Sequence, residues 1–277
     1  MADPLYLRRN DRFAPTEAAT GPWSPEAQHG GPVLGLLGRA AESWATATGL
    51  CLVRLTADLF RPVPMQPLAL VSRPLREGRR LALVQISVVA GDVEVTRGHA
   101  LLLRPTEASP SEEEPEPPLP GPEGLASEPL VPAEARSAAR IGFATRIEVR
   151  WAARPDGPGT ALWMRLPMPL VEGEPTSPLQ QVAALSDFAN ATATLARREW
   201  ESRRMGFINA DCSLFLARSP APGWVGLRLD RAADRNGVGT VDVSLFDAAG
   251  ALGRVVQSRL ANVPPTARAR EAARGGG

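Results

Sequence analysis

The sequence predicts an α+β fold of two similar halves, each a curved antiparallel sheet wrapped around a long central helix. Three observations predict it. A stretch from Pro105 to about Ala139 is dense in Pro, Glu, Ser and Gly, including Glu112, Glu113, Glu114 and the pair Pro117–Pro118. Such a composition offers little to bury and reads as an exposed, extended linker. The regions on either side of it show the same order of elements. Finally, the main helix of each region lacks the charged face of an ordinary surface helix.

The boundaries follow: a first half over 1–104, a Pro/Glu-rich linker over 105–139, a second half over 140–263, and a tail over 264–277 resembling the linker in composition. A chain of 277 residues has room for two such units.

The first half opens with a short strand near Arg12 and a turn-rich stretch, Gly21-Pro22-Trp23-Ser24-Pro25. A helix follows over about Pro32–Thr48, with Gly31 and Pro32 suited to the N-cap and first helical position. Strands come next at about Leu50–Phe60, Leu68–Leu75, Arg80–Ala90 and Val93–Arg104. The second half has strands at about Ile141–Trp151 and Ala161–Leu166, then one helix from Pro178 to about residue 200. Ser177 is its N-cap, and Gln180 would complete a capping box. Strands close the half at about Phe207–Ala217, Trp224–Asp230, Val238–Asp247 and Leu252–Val263.

A weak internal repeat accompanies this shared order. At a shift of roughly 155, Leu59-Phe60 lies over Leu214-Phe215; at roughly 157, Ser87 lies over Ser244 and Arg97 over Arg254. The run Val182 to Leu195 is small or apolar nearly all round, and the first helix carries Gly35 and Gly38. Small residues on many faces let surrounding backbone come close, as a helix inside a curved sheet requires. That arrangement is the hot-dog, here in tandem.

Composition removes several function classes. A net charge of +1 gives no electrostatic reason to expect nucleic acid or an anionic membrane as partner. There is no Lys, which removes Schiff-base chemistry and Walker-type phosphate binding. Cys51 and Cys212 lie in apolar strand-like runs and read as buried, inert thiols rather than a disulfide framework. His29 and His99 are too few for a zinc site, and no Gly-x-Ser-x-Gly elbow supports a serine triad. No run reaches membrane-spanning length and residues 1–10 lack an apolar core, so a cytoplasmic protein is expected.

Asp187 is the most informative residue. Asp suits helix interiors poorly, and this one sits among Leu185, Ser186, Phe188 and Ala189. A carboxylate there must be hydrogen-bonded or functional. It is either a base or nucleophile, or a structural group satisfied by a local Ser, Asn or Arg. Gly30 and Gly31 precede the first helix, where unpaired N–H groups could polarise a carbonyl; the equal alternative is a flexible entry to a close-packed helix. Asn209 and Asp211 share a strand face by the two-residue period, which makes Asp211 the rival base. His29 reads as a polar turn residue outside the catalytic set. Trp23, Trp44, Trp163 and Trp200 line an acyl channel or fill core.

Several motifs together resemble one family. They are His29-Gly30-Gly31-Pro32, Asp58-Leu59-Phe60-Arg61-Pro62, Leu185-Ser186-Asp187-Phe188, Asn209-Ala210-Asp211 and Val256-Gln257-Ser258. In order and placement they resemble the double hot-dog acyl-CoA thioesterases of type II, especially actinobacterial thioesterase-family proteins. The resemblance implies hydrolysis of acyl-CoA by water, without a cofactor or metal. It implies Asp187 as the activating carboxylate, Gln257 as a water-positioning amide, and Asn209 at a position where the family has Thr or Ser. Gly30 and Gly31 become the candidate substrate-binding pair. Gly38 falls near the place matching Asp187, so one active site per chain is expected. Hot-dog proteins commonly associate, which is compatible with a homo-oligomer. Two other readings stand beside hydrolysis: a non-catalytic acyl-CoA-binding protein, and a hot-dog enoyl-CoA hydratase. The hydratases place Asp and His together, whereas Leu185–Ala193 contains no His.

Overall fold

Residues 3–106, 118–130, 142–153, 159–197 and 206–262 are described by a computed structural model. The expected tail, Trp200, Ile141 and most of the linker lie outside the described residues.

The first half runs β1 (Tyr6–Arg9), β2 (Arg12–Pro15), α1 (Gly30–Thr48), β3 (Cys51–Asp58), β4 (Leu68–Arg76), β5 (Leu81–Ala90) and β6 (Val93–Leu103). The second runs α2 (Phe143–Arg146), β7 (Glu148–Ala153), β8 (Ala161–Arg165), α3 (Pro178–Ser186), α4 (Ala189–Ala196), β9 (Gly206–Asn209), β10 (Asp211–Leu216), β11 (Val225–Arg235), β12 (Val238–Asp247) and β13 (Gly250–Asn262). Several boundaries move: the strand expected over Ile141–Trp151 starts only at Glu148, after the short helix α2. His29, not Gly31, caps α1, and its ring nitrogen lies near the Gly31 N–H. The expected single helix after Pro178 is two, broken at Asp187–Phe188.

The strands form one antiparallel sheet in the order β1-β2-β4-β5-β6-β3-β10-β13-β12-β11-β8-β7, with β9 also on β13. Reading outward from the junction, β3-β6-β5-β4-β2 mirrors β10-β13-β12-β11-β8, so the halves share one topology. The 157-residue shift is the structural one. It carries the pair Ser87↔Arg97 onto Ser244↔Arg254, and Thr56↔His99 onto Ser213↔Val256. The 155-residue shift is two positions out of register. At the junction Thr56 faces Ser213, while Leu55↔Leu214 and Ala57↔Cys212 exchange under the same shift. A pseudo-two-fold axis therefore passes through Thr56 and Ser213.

The helices are not each enclosed alone. They lie against one another inside the shared sheet, and this corrects the reason given for their small residues. Gly31, Gly35 and Gly38 lie on one face of α1 by the i, i+4, i+7 spacing. A Cβ at Gly31 would lie 2.7 Å from the Ala184 carbonyl oxygen, at Gly35 3.3 Å from the Ala184 Cβ, and at Gly38 2.7 Å from the Ala183 Cβ. The glycines thus admit α3 rather than strand backbone. Each gives up about 1 kcal/mol of helix propensity relative to Ala, which close helix packing must offset. Ser177 caps α3 as expected, accepting from the Gln180 N–H at 3.2 Å. The Gln180 side chain does not return to Ser177 but donates to Glu42 on α1 at 2.7 Å.

Residues 118–130 lie against the second half. The Trp163 indole donates to the Pro120 carbonyl at 2.7 Å, the Glu128 N–H donates to the Val149 carbonyl at 3.0 Å, and Leu130 is buried.

Replacing Gly31 with Ala tests the helix contact. The new methyl meets the fixed Ala184 carbonyl and the Phe143 ring, so a loss of about 1–3 kcal/mol is expected. For a chain of this size that is a fall of roughly 2–4 °C per kcal/mol in the thermal midpoint. An unchanged midpoint would show that the two helices are not in contact there.

Candidate functional site

Asp187 stands where α3 ends, with φ −61° and ψ −23°, and Phe188 follows with ψ near 1°. The turn between the helices is completed by a side chain. In a continuous helix the Asn190 N–H would bond the Ser186 carbonyl. Here the Gln257 Oε1 accepts from the Asn190 N–H at 2.8 Å, and its Nε2 donates to the Ser186 carbonyl at 3.2 Å and the Asp187 carbonyl at 3.4 Å. An amide has spliced itself into the helical ladder, a recognised cause of a break. Gln257 is fully buried and absent from the cavity lining. Its amide bonds the backbone at the break directly behind Asp187.

The break turns the Asp187 carboxylate toward α1. Its Oδ1 accepts from the Asn209 Nδ2 at 2.7 Å, and its Oδ2 lies 2.8 Å from the His29 Nδ1. It also faces the N-terminus of the 19-residue α1, where the helix dipole favours negative charge. A Cβ at Gly30 would come within 2.7 and 2.8 Å of the two carboxylate oxygens, so only glycine fits there.

His29 was read from sequence as a turn residue, and the fold corrects this. It comes from the first half and meets a carboxylate from the second. Its Nδ1 also lies 3.1 Å from the Gly31 N. One nitrogen cannot accept from Gly31 while donating to Asp187. The contact with the carboxylate is the shorter of the two, and charge assistance there favours a proton on Nδ1. The imidazole packs against both Phe143 and Phe188, at centroid distances of 5.1 and 5.0 Å, and those two rings stack on each other at 5.5 Å. Gln28 anchors the preceding loop: it accepts from the Tyr6 hydroxyl at 2.6 Å and donates to the Pro64 carbonyl at 2.7 Å.

Asn209 and Asp211 do not share a face. β9 pairs Asn209 with Arg259, whereas β10 pairs Ser213 with Val256, a one-residue offset that marks a bulge at Ala210. The bulge re-aims the strand. Asn209 reaches Asp187, and Asp211 turns away to accept from the Ser258 N–H. Asp187 lines the cavity, and Asp211 does not.

A cavity of about 250 Å³ opens beside this cluster. His29, Gly30, Asp187 and Asn209 line its polar end; Trp23, Leu130, Phe188, Leu195 and Phe207 line the rest. Gly30 faces the cavity, but Gly31 is packed under Phe143 and does not. Of the tryptophans, Trp23 stands at the cavity, whereas Trp163 is buried elsewhere. Cys212 lies behind Ser186 with its thiol pushed up to about 12 by burial, which rules it out as a nucleophile near neutral pH. Among the described residues no group of His, Cys, Asp or Glu could hold a metal ion, and no helix is long and apolar enough to cross a membrane.

Comparison with known proteins agrees with this architecture. The chain is similar over 94% of its length to a provisional thioesterase from Novosphingobium aromaticivorans DSM 12444, covering all of that chain at 24% identity and a TM-score of 0.70. It is similar to a hot-dog protein of unknown function from Alicyclobacillus acidocaldarius, with 92% and 94% of the two chains covered, 16% identity and a TM-score of 0.72. It is also similar to the acyl-CoA thioesterase II TesB2 of Mycobacterium marinum, with 86% and 91% covered, 17% identity and a TM-score of 0.63. These likenesses show the double hot-dog fold. A search of curated proteins finds no match. The family models reach further, matching the acyl-CoA thioesterase N-terminal domain over 19–103 and the C-terminal domain over 112–261. With both domains matched in order, the chain belongs to the acyl-CoA thioesterase family.

Proposed function

We propose that the chain hydrolyses acyl-CoA thioesters with a water activated by the charge of Asp187, the acyl group lying in the adjoining cavity. The observation that carries this is the convergence of Asp187, Asn209 and Gly30 on one mostly apolar pocket. These residues come from a helix break, a bulged strand and a helix N-terminus, and family membership supports the same chemistry. Asn209 stands where the resembling enzymes have a hydroxyl. Its Nδ2 is committed to Asp187, which leaves its Oδ1 to accept from the attacking water. Gly30 offers an N–H at the positive end of α1 for the developing oxyanion. Gln257 takes the role of a positioning residue, holding the α3–α4 break that aims Asp187.

The contact between His29 and Asp187 favours one second reading, hydration of an enoyl-CoA. The acid–base pair missing from Leu185–Ala193 is supplied by the other half. Loss of enoyl absorbance, without release of free CoA, would distinguish it.

Two expected outcomes test the hydrolytic reading. Asp187→Asn nearly preserves volume and removes the charge, so turnover of acyl-CoA should fall roughly 100-fold or more in a free-thiol assay. Wild-type turnover in that variant would refute the assignment. Gln257→Leu leaves the Asn190 N–H and Ser186 carbonyl buried without partners, at a cost of about 1–3 kcal/mol. It should lower the melting temperature and the turnover together, whereas Asp187→Asn acts mainly on turnover.

A further inference from the structure

We infer that His29, not Asp187, takes the proton from the attacking water, and that Asp187 orients His29 and stabilises its charged form. This deepens the hydrolytic reading and rests on it. The argument begins with access. The Asp187 side chain is 3% exposed and that of His29 is 11% exposed. Both carboxylate oxygens already hold a short contact, to Asn209 and to His29, and Gly30 lies close to both. The carboxylate is thus largely enclosed. With Nδ1 turned inward to Asp187, the remaining ring nitrogen of His29 is Nε2. It bonds to nothing among the described residues, and the ring lines the cavity.

The surroundings fit an imidazole that becomes charged. An imidazolium formed there would have the Asp187 carboxylate at 2.8 Å and the rings of Phe143 and Phe188 at about 5 Å. A carboxylate stabilises it directly, and aromatic faces add a smaller attraction. No other titratable side chain lines the cavity among the described residues. The two members come from different halves, so the couple exists only because the halves are packed together.

The step balances without a further reactant. The water oxygen bonds to the thioester carbonyl carbon as one of its protons moves to the His29 Nε2. The carbonyl electron pair moves onto oxygen and is met by the Gly30 N–H. Collapse of the tetrahedral intermediate breaks the C–S bond. The proton on Nε2 passes to the departing sulfur, giving free CoA thiol and the carboxylic acid.

His29→Asn separates this role from mere support. Asn can still donate to Asp187 with its amide nitrogen at the position of Nδ1, but it has no counterpart of Nε2. The expected result is a fall in kcat of roughly 100-fold, the scale of losing a general base, with KM little changed. In His29→Ala, added imidazole should restore part of the turnover in proportion to its concentration, an effect that a purely structural residue would not show. Wild-type kcat in His29→Asn, or no response of His29→Ala to imidazole, would overturn the inference. If Asp187→Asn is inactive while His29→Asn is fully active, hydrolysis stands and Asp187 is itself the base. If the wild-type chain releases no CoA from any acyl-CoA, the hydrolytic reading fails first.

Discussion

The close contact between α1 and α3 is the constraint on which the rest depends. Neither helix meets the other at ordinary side-chain distance. Gly31, Gly35 and Gly38 on one side and Ala183 and Ala184 on the other leave backbone almost against backbone. Helix axes usually stand 8–10 Å apart, the distance set by the residues at the contact. Small residues on both faces favour the near end of that range. The functional result appears at the N-terminal end of this stripe. Gly30, next on α1, receives the Asp187 carboxylate, and His29 at the cap meets it side-on. Larger residues in the stripe would move a carboxylate from one half away from an imidazole of the other.

Two local irregularities then aim the groups. A regular helix through Asp187 would use the Ser186 carbonyl for its own ladder, and a regular strand through Ala210 would put Asn209 and Asp211 on one face. The Gln257 amide opens the first, and the bulge opens the second. Both lie along β13, which carries Gln257 and pairs with β9 and β10 on either side of the bulge. The strand that closes the second half therefore sets the helix break and the bulge together. Arg259 on the same strand stacks over Phe207, 4.0 Å from its ring centroid, and so braces a cavity wall as well.

Much of this was legible because it is local or periodic. The shared order of elements pointed to two antiparallel halves, the Ser177 cap stands as expected, and the repeat of Ser87 and Arg97 at Ser244 and Arg254 is the one the strand register follows. Asp187 stood out because a carboxylate in an apolar helix demands a partner. What could not be read was which partner. His29 precedes Asp187 by more than half the chain, and no period links a helix cap in one half to a helix break in the other. The available signal was the charge of Asp187 itself. A buried carboxylate needs donors, and among two histidines His29 was already beside a glycine pair at a helix start. The helix break was equally hidden, since Gln257 lies on a distant strand and the segment Val182–Leu195 has no Gly or Pro to announce it.

The same comparison shows that the two ends of the helix pair differ although the fold is nearly symmetric. Asp187 lies ten residues after the cap Ser177, and Arg39 lies ten residues after the cap His29. Symmetry therefore places Arg39 and Ser177 where the site has Asp187 and His29. There Arg39 is bound by Glu174 at 2.8 and 3.0 Å, and nearby Gln180 donates to Glu42. Leu170 fills the space against Gly35. The equivalent region is closed by an ion pair and an aliphatic side chain, with no acid–base couple. A half-buried arginine–carboxylate pair at that end ties α1 to the second half. At the other end the tie is made by Asp187 and His29, which face an open cavity. One end of the helix pair is thus closed by an ion pair and the other opens on a cavity, with the glycine stripe between them.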